Sequence, residues 1–245
     1  MKQSIFEIKE NTALTSNVYK MVLCGDTSDI TASGQFVNIK LEGFFLRRPI
    51  SVCDCEDGLL TIVYKVVGSG TEVMAKMHIG EKLDVLTGLG NGYDLEKSGD
   101  TPLLLGGGVG VPPMYMLAKK LISQGKKVSV ILGFNKKDEI FYEDEFKALG
   151  ADVTVCTADG SYGIKGFVTD AMKNMNYSYF YTCGPEPMLK AIYSVSETSG
   201  QFSFEERMGC GFGACMGCSC KTVTGYKRIC KEGPVLEKEE ILWEK

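Results

Sequence analysis

Four cysteines near the C-terminus, Cys210, Cys215, Cys218 and Cys230, stand in the order C-x4-C-x2-C-x11-C, among the small residues Gly209, Gly211, Gly213, Ala214 and Gly217. The spacing is that of a plant-type [2Fe-2S] ligand set, in which four thiolates hold two irons. The small residues let the loop wrap closely, so that backbone N–H groups can point at cluster sulfurs. A centre of this kind carries electrons singly, and the four cysteines are its candidate ligands. Zinc also accepts four cysteines, but structural zinc sites usually present two paired knuckles, and only Cys215 and Cys218 form a C-x2-C pair. A zinc-stabilised interaction module without redox activity is therefore the alternative from another class. Disulfides are the third reading of the ten cysteines. The chain opens Met1-Lys2-Gln3-Ser4-Ile5 with no apolar h-region or cleavage site, which points to a reducing, cytoplasmic setting instead. Cys220 is a neighbour of the ligand set, which is complete without it.

A length of 245 residues suits two domains and a small cluster-bearing segment. The boundaries read as residues 1–97, 98–200 and 201–245. Up to residue 97 the pattern is of strands and turns: 35–41 and 59–66 are β-rich, and Glu56-Asp57-Gly58 turns between strands. Short strands with frequent Gly-containing turns suggest a closed antiparallel barrel. One helix is predicted from Thr71, as cap, to Met77, with Gly80 as stop. Beyond residue 100 the rhythm becomes strand, glycine loop, helix. Strands are predicted at 103–105, 128–132, 151–156 and 177–182, and helices at 113–123, 138–149 and 166–174. That alternation implies a parallel sheet with helices on its faces, as in Rossmann-like folds. The fold class is thus α+β multidomain: an antiparallel β-barrel, a Rossmann-like α/β domain and a C-terminal cluster segment. A hydrophobic content of 44%, a net charge of −4, no basic arm and no bilayer-length apolar run argue against nucleic acid as a partner and against a membrane span.

Three further motifs carry chemistry. The loop Gly106-Gly107-Gly108-Val109-Gly110 lies between a strand and a helix, where free N–H groups can face a phosphate. Val111 replaces the third glycine of the dinucleotide fingerprint, and the next strand ends Leu132-Gly133-Phe134-Asn135 without a ribose-binding acid. The same glycines also suit a tight turn packing a helix onto a sheet. Cys183-Gly184-Pro185 opens a helix after the last clear strand, where Gly184 lets a ligand approach and Cys183 alone reads as a small buried residue. Arg47-Arg48-Pro49-Ile50-Ser51 begins a barrel strand. An arginine there can hold a pyrophosphate through a bidentate fork, or two arginines can simply end a solvated strand.

In this order the motifs resemble the ferredoxin-NADP reductase superfamily, and Glu206-Arg207-Met208-Gly209-Cys210-Gly211 through Cys218 is closely similar to the electron-transfer subunits of dihydroorotate dehydrogenase B. The resemblance runs over essentially the whole chain. It implies FAD in the barrel, at Arg48, Pro49, Ile50, Ser51, Val63, Tyr64, Lys65, Gly70 and Thr71. It implies NAD in the α/β domain, at Gly107, Gly108, Val109, Gly110, Cys183, Gly184 and Pro185. The cluster would face an FMN-containing dihydroorotate dehydrogenase catalytic subunit, in a heterotetramer of two plus two serving pyrimidine (UMP) biosynthesis. Electrons would pass from that FMN through the [2Fe-2S] cluster and FAD to NAD+. Similar chains act as the FAD/[2Fe-2S] subunit of NADH-dependent ferredoxin:NADP oxidoreductases or of hydrogenases and sulfur reductases. Those are the alternative partners. No protein acid or base is demanded, so His78 need not be catalytic and reads as a surface or core residue on the short helix. Lys136 and Lys137 without an arginine favour NAD over NADP. Trp243 is expected to staple the cluster segment.

Overall fold

The computed structural model describes residues 1–173 and 175–243. Six antiparallel strands, β1 (Lys2–Ala13), β2 (Val18–Cys24), β3 (Phe36–Lys40), β4 (Arg48–Glu56), β5 (Leu59–Lys65) and β6 (Lys82–Leu89), close a barrel in the order β1-β2-β5-β4-β3-β6. Closure removes the exposed edges that an open sheet would carry. Alternate residues fill the interior as the two-residue period requires: Phe6 and Ile8, Val37 and Ile39, Leu83 and Val85 are all buried. The turn between β4 and β5 uses left-handed backbone at Asp57 and Gly58.

Helix α1 (Ser69–Ala75) starts before Thr71 and stops before Met77. Thr71 caps it from within, its Oγ1 accepting from the N–H groups of Val67 at 3.0 Å and Gly68 at 3.3 Å. Asn11 Nδ2 caps the end of α1, donating to the carbonyls of Met74 and Met77, both at 2.9 Å. His78 lies beyond the helix, exposed to solvent.

The second half alternates strand and helix: β7 (Leu103–Gly107), α2 (Pro112–Ser123), β8 (Ser129–Phe134), α3 (Glu143–Ala148), β9 (Asp152–Thr157), β10 (Ile164–Lys165), α4 (Val168–Met172), β11 (Phe180–Cys183), α5 (Glu186–Val195) and β12 (Gly200–Ser203). These strands pair in parallel in the order β10-β9-β8-β7-β11-β12. The sequence order reverses between β7 and β11, which creates a crevice outside their carboxyl ends. The helix expected over 138–149 is broken: a short 3-10 turn at Lys137–Glu139 precedes α3, and Tyr142 between them has a φ of 68°. Burial of Phe141 and Tyr142 among Phe134, Tyr115 and Phe146 accounts for the break, since one continuous helix turns two consecutive side chains to different directions. Strand β11 begins at Phe180, three residues later than expected.

Past β12 the chain leaves the sheet, forms a two-stranded ribbon of β13 (Ser219–Thr222) and β14 (Gly225–Arg228), and returns as β15 (Val235–Glu237). Strand β15 pairs antiparallel with β12, Ser203 standing opposite Val235, so the last strand of the nucleotide-side sheet comes from beyond the cysteine loop. Asn91, just after the barrel, fixes that return: its side chain donates to the Val235 carbonyl at 2.7 Å and accepts from the Val235 N–H at 3.0 Å. Trp243 packs on Tyr193, Phe202 and Phe204 with ring centroids 5.4–5.8 Å away, pinning the tail to α5 and β12. Among the described residues no helix is long and apolar enough to cross a membrane.

Candidate functional site

One cleft of about 1970 Å³ runs between the barrel and the carboxyl ends of the parallel strands. A single small-ligand pocket is typically about 300–1,000 Å³, so this one has room for two extended ligands side by side. On the barrel wall stand Arg48, Pro49, Ile50 and Ser51 of β4, Val63, Tyr64 and Lys65 of β5, and Gly70 and Thr71 of α1. On the facing wall stand Gly107, Gly108, Val109 and Gly110 after β7, and Cys183, Gly184 and Pro185 after β11.

The adjacent arginines do different work. Arg47 turns to the barrel, its Nη1 donating to the carbonyls of Asn38 at 3.2 Å and Asp84 at 3.1 Å and pairing with the Asp84 carboxylate at 3.0 Å. Arg48 turns to the cleft, its guanidinium 4.4 Å above the Phe44 ring. A Cβ on Gly70 would fall 2.2 Å from Arg48 Nε, so the missing side chain is what makes room for this cation. A cation held against the start of a helix, with glycine and backbone N–H groups around it, suits a dinucleotide's phosphates. Tyr64 contributes differently from Arg48. Its ring is buried against Tyr19, and its hydroxyl donates to Asn11 Oδ1 at 3.0 Å, so the cleft meets its backbone.

In the glycine loop the glycines do different work. A Cβ on Gly110 would lie 2.2 Å from the Cys183 carbonyl, one on Gly107 2.4 Å from Met188 Sδ, and one on Gly184 2.5 Å from Met188 Cε. Those three glycines let the two strand-end loops pack together. Of the loop glycines Gly108 alone has a positive φ, +52°, and nothing within 4 Å of a Cβ, so it keeps its part of the cleft wall open. Burial pushes the Cys183 thiol up to about 12, so it is no thiolate at neutral pH. Among the cleft residues that no sequence motif marked is Glu139, which lies past the end of β8 and is carried back by the Lys137–Glu139 turn.

The ten cysteines are all free thiols. Of the four candidate ligands, Cys218 and Cys230 are buried, Cys210 is half-buried and Cys215 is exposed. They stand as two pairs, with Cys210 beside Cys215 and Cys218 beside Cys230. Backbone N–H groups converge on sulfur: Ala214, Cys215 and Phe212 donate to Cys210 Sγ at 3.2, 3.4 and 3.5 Å, Gly217 to Cys215 Sγ at 3.5 Å, and Cys230 to Cys218 Sγ at 3.4 Å. Burial pushes the Cys210 thiol up, but these N–H groups outweigh it and bring it down to about 6. Burial and the adjacent Cys218 push Cys230 up to about 12. Among the described residues no three His, Cys, Asp or Glu side chains converge as ligands of one ion. Two thiol pairs, one for each metal, with N–H donors already aimed at sulfur, fit a two-iron cluster better than a single tetrahedral zinc. Left-handed backbone at Gly211 and Gly213 makes the tight loop possible. A Cβ on Gly211 would lie 2.4 Å from Asn38 Nδ2, which donates to the Cys210 carbonyl at 3.2 Å. The loop is thereby seated on the barrel strand β3.

Residues 205–242 match the model of the iron-sulfur cluster binding domain of dihydroorotate dehydrogenase B, and residues 104–194 that of the oxidoreductase NAD-binding domain. The "Dihydroorotate dehydrogenase B (NAD(+)), electron transfer subunit" of Fusobacterium nucleatum is 46% identical over 252 residues, covering 96% of this chain and 96% of that protein. The chain belongs to the family of dihydroorotate dehydrogenase B electron-transfer subunits. A protein of the same description from Bacillus pumilus is 42% identical, covering 98% of both chains. Among solved structures, an NADH-dependent reduced ferredoxin-NADP oxidoreductase superposes with a TM-score of 0.88 at 31% identity, covering 97% of this chain and 90% of that one. The fold is that of the ferredoxin-NADP reductases, extended by a cluster segment. The chain is an oxidoreductase component whose cofactors are FAD, a [2Fe-2S] cluster and NAD.

Proposed function

We propose that this chain takes electrons from an FMN-containing dihydroorotate dehydrogenase catalytic subunit and delivers them to NAD+ in pyrimidine (UMP) biosynthesis, within a cytoplasmic heterotetramer of two catalytic and two electron-transfer subunits. One observation carries the reading. Cys220, Lys221 and Thr222, which follow the candidate ligand Cys218 in β13, form part of the wall of the cleft shared by the flavin-side and nucleotide-side residues. The thiol loop and the cleft are therefore contiguous. When bound, the cluster supplies one-electron capacity, the flavin both one- and two-electron capacity, and nicotinamide accepts a hydride.

The chain's own residues bind and orient. Residues 1–97 form the flavin unit. Arg48 forks onto a pyrophosphate, Gly70 and Thr71 present backbone N–H groups to it, and Pro49, Ile50, Ser51, Val63, Tyr64 and Lys65 line the flavin's bed. Residues 98–200 form the nicotinamide unit, its sheet completed by β12 and β15. Gly108 opens the way to the phosphates, with Gly107, Val109 and Gly110 shaping the loop. Cys183, Gly184 and Pro185 shape the opposite rim. In the segment 201–245, Cys210, Cys215, Cys218 and Cys230 hold the cluster. No side chain has to move a proton for hydride transfer.

The test is to purify the chain with its native partner. An FMN-containing subunit and dihydroorotate-dependent reduction of NAD+ are expected. A large partner carrying flavin and [4Fe-4S] centres, with no such activity, would assign the chain to the ferredoxin:NADP oxidoreductase or hydrogenase and sulfur reductase group instead.

A further inference from the structure

Strand β8 lies next to β7, with Gly133 opposite Gly107 in the register. A nucleotide whose phosphates rest at Gly108 therefore continues over the carboxyl end of β8. Asn135 and Glu139 line the cleft there, and Phe167, 68% exposed, lines the same cleft. The 3-10 turn at Lys137–Glu139 folds Glu139 back on the strand end, where Asn135 donates to its Oε2 through the backbone N–H at 3.3 Å and through Nδ2 at 2.9 Å. Among the described residues both bonds fall on Oε2, which fixes the carboxylate and leaves Oε1 for a ligand hydroxyl. The lysines of the same turn face elsewhere. Lys136 Nζ lies 3.8 Å from the Asp138 carboxylate, Lys137 Nζ lies 5.9 Å over the Tyr162 ring, and neither lines the cleft. The charge presented at this point of the wall is negative.

The geometry points to Glu139 as the residue that selects NAD over its 2′-phosphorylated counterpart. Its Oε1 accepts from a ribose hydroxyl, and its charge repels a phosphate placed at the 2′ position. This rests on the nicotinamide-nucleotide site proposed above, so the experiment separates the two. Titration calorimetry of the cofactor-loaded chain with ADP-ribose and with 2′-phospho-ADP-ribose reads binding alone, without turnover. The wild type is expected to prefer ADP-ribose by about 100-fold, the combined effect of a hydrogen bond to a charged group and of like-charge repulsion. Glu139→Gln should cut that preference to within about threefold, while FAD content stays unchanged. Glu139→Asp, which keeps the charge but shortens the reach, should lose about tenfold in ADP-ribose affinity and still reject the phosphorylated analogue. If the wild type binds ADP-ribose and Glu139→Gln keeps the full preference, Glu139 is not the selector and the site stands. If the wild type binds neither ligand, the inference falls together with the site beneath it.

Discussion

The barrel and the cysteine segment are ordered by different forces. In the barrel, Phe6, Ile8, Val37, Ile39, Leu83 and Val85 point inward from closed, fully paired strands, and burial of apolar surface holds them. Between Phe204 and Pro234, Ile229 is joined only by Cys218 and Cys230 as buried hydrophobic side chains, while Phe212, Met216, Val223 and Tyr226 are exposed. What orders this stretch is polar and thiol contact. Asn38 holds the Cys210 carbonyl, Arg228 donates to the Gly213 carbonyl at 2.7 Å and pairs with Glu232, and N–H groups surround the sulfurs. A region with a core of its own keeps its shape without its ligand. A region with so little core depends on metal for much of its stability, because binding free energy then becomes folding free energy.

The two regions should part most sharply at Cys218. Cys218→Ser should reduce the cluster's iron and visible absorbance to near zero and abolish dihydroorotate-coupled NAD+ reduction. Flavin content and dye-linked NADH oxidation should persist, because the barrel does not rely on the thiols. Loss of both activities with FAD retained would mean that the cluster loop is no separate unit.

The reverse experiment removes core from the barrel. Phe6→Ala should cost about 3–5 kcal/mol of stability, read as a lowered urea midpoint, as for a fully buried aromatic. A change below about 1 kcal/mol would show that the barrel is not held by its interior.

Arg48→Ala is milder and is confined to the cleft. Losing the fork partner of a phosphate should weaken FAD retention by about tenfold on dialysis, with the iron content of the thiol loop unchanged. Full flavin retention would refute the role given to Arg48.

The smallest effect concerns the seam between the regions, at Glu237 of β15. Its carboxylate meets Lys97 at 2.8 Å and accepts from Gln201 at 2.6 Å and Tyr179 at 2.8 Å. Burial raises its pKa, but these three partners outweigh burial and hold it below the ordinary 4.5. A depressed carboxyl stabilises the fold above the unfolded value, and that contribution is lost as pH falls below about 4.5. Glu237→Gln should therefore cost about 1 kcal/mol at neutral pH and flatten the acid limb of stability against pH. Parallel acid limbs for the two proteins would show that the Glu237 carboxylate does not stabilise the seam.

The sequence was most legible where short-range rules and tertiary demands coincide. Two-residue alternation and a Gly-containing turn marked the barrel, and strand-glycine-helix alternation marked the parallel sheet. The thiol spacing and the motifs at Arg48, Gly108 and Cys183 already named the residues that the fold gathers at one cleft and one loop. What was not legible depends on partners distant in the chain. The cap on the end of α1 comes from Asn11, and the break at Tyr142 belongs to an aromatic cluster drawn from α2, β8 and α3. Nothing local distinguishes Arg47 from Arg48, since Asp84 on another strand decides which one turns away. Glu139 carries no local mark of a cleft residue, because the Lys137–Glu139 turn rather than the strand end brings it to the wall. Strand β15 is three residues long, and only its pairing with β12 makes it a strand.

That pairing has an architectural consequence. Ser203 and Val235 are cross-strand neighbours, the position that two residues flanking a hairpin turn would take. The whole thiol-bearing excursion is thus spliced into what is otherwise the bend of a hairpin. A chain of this design can gain or shed such a unit at one junction, without re-threading a strand of the sheet, so its capacity to be wired to another protein is modular even though the wire runs along the shared cleft.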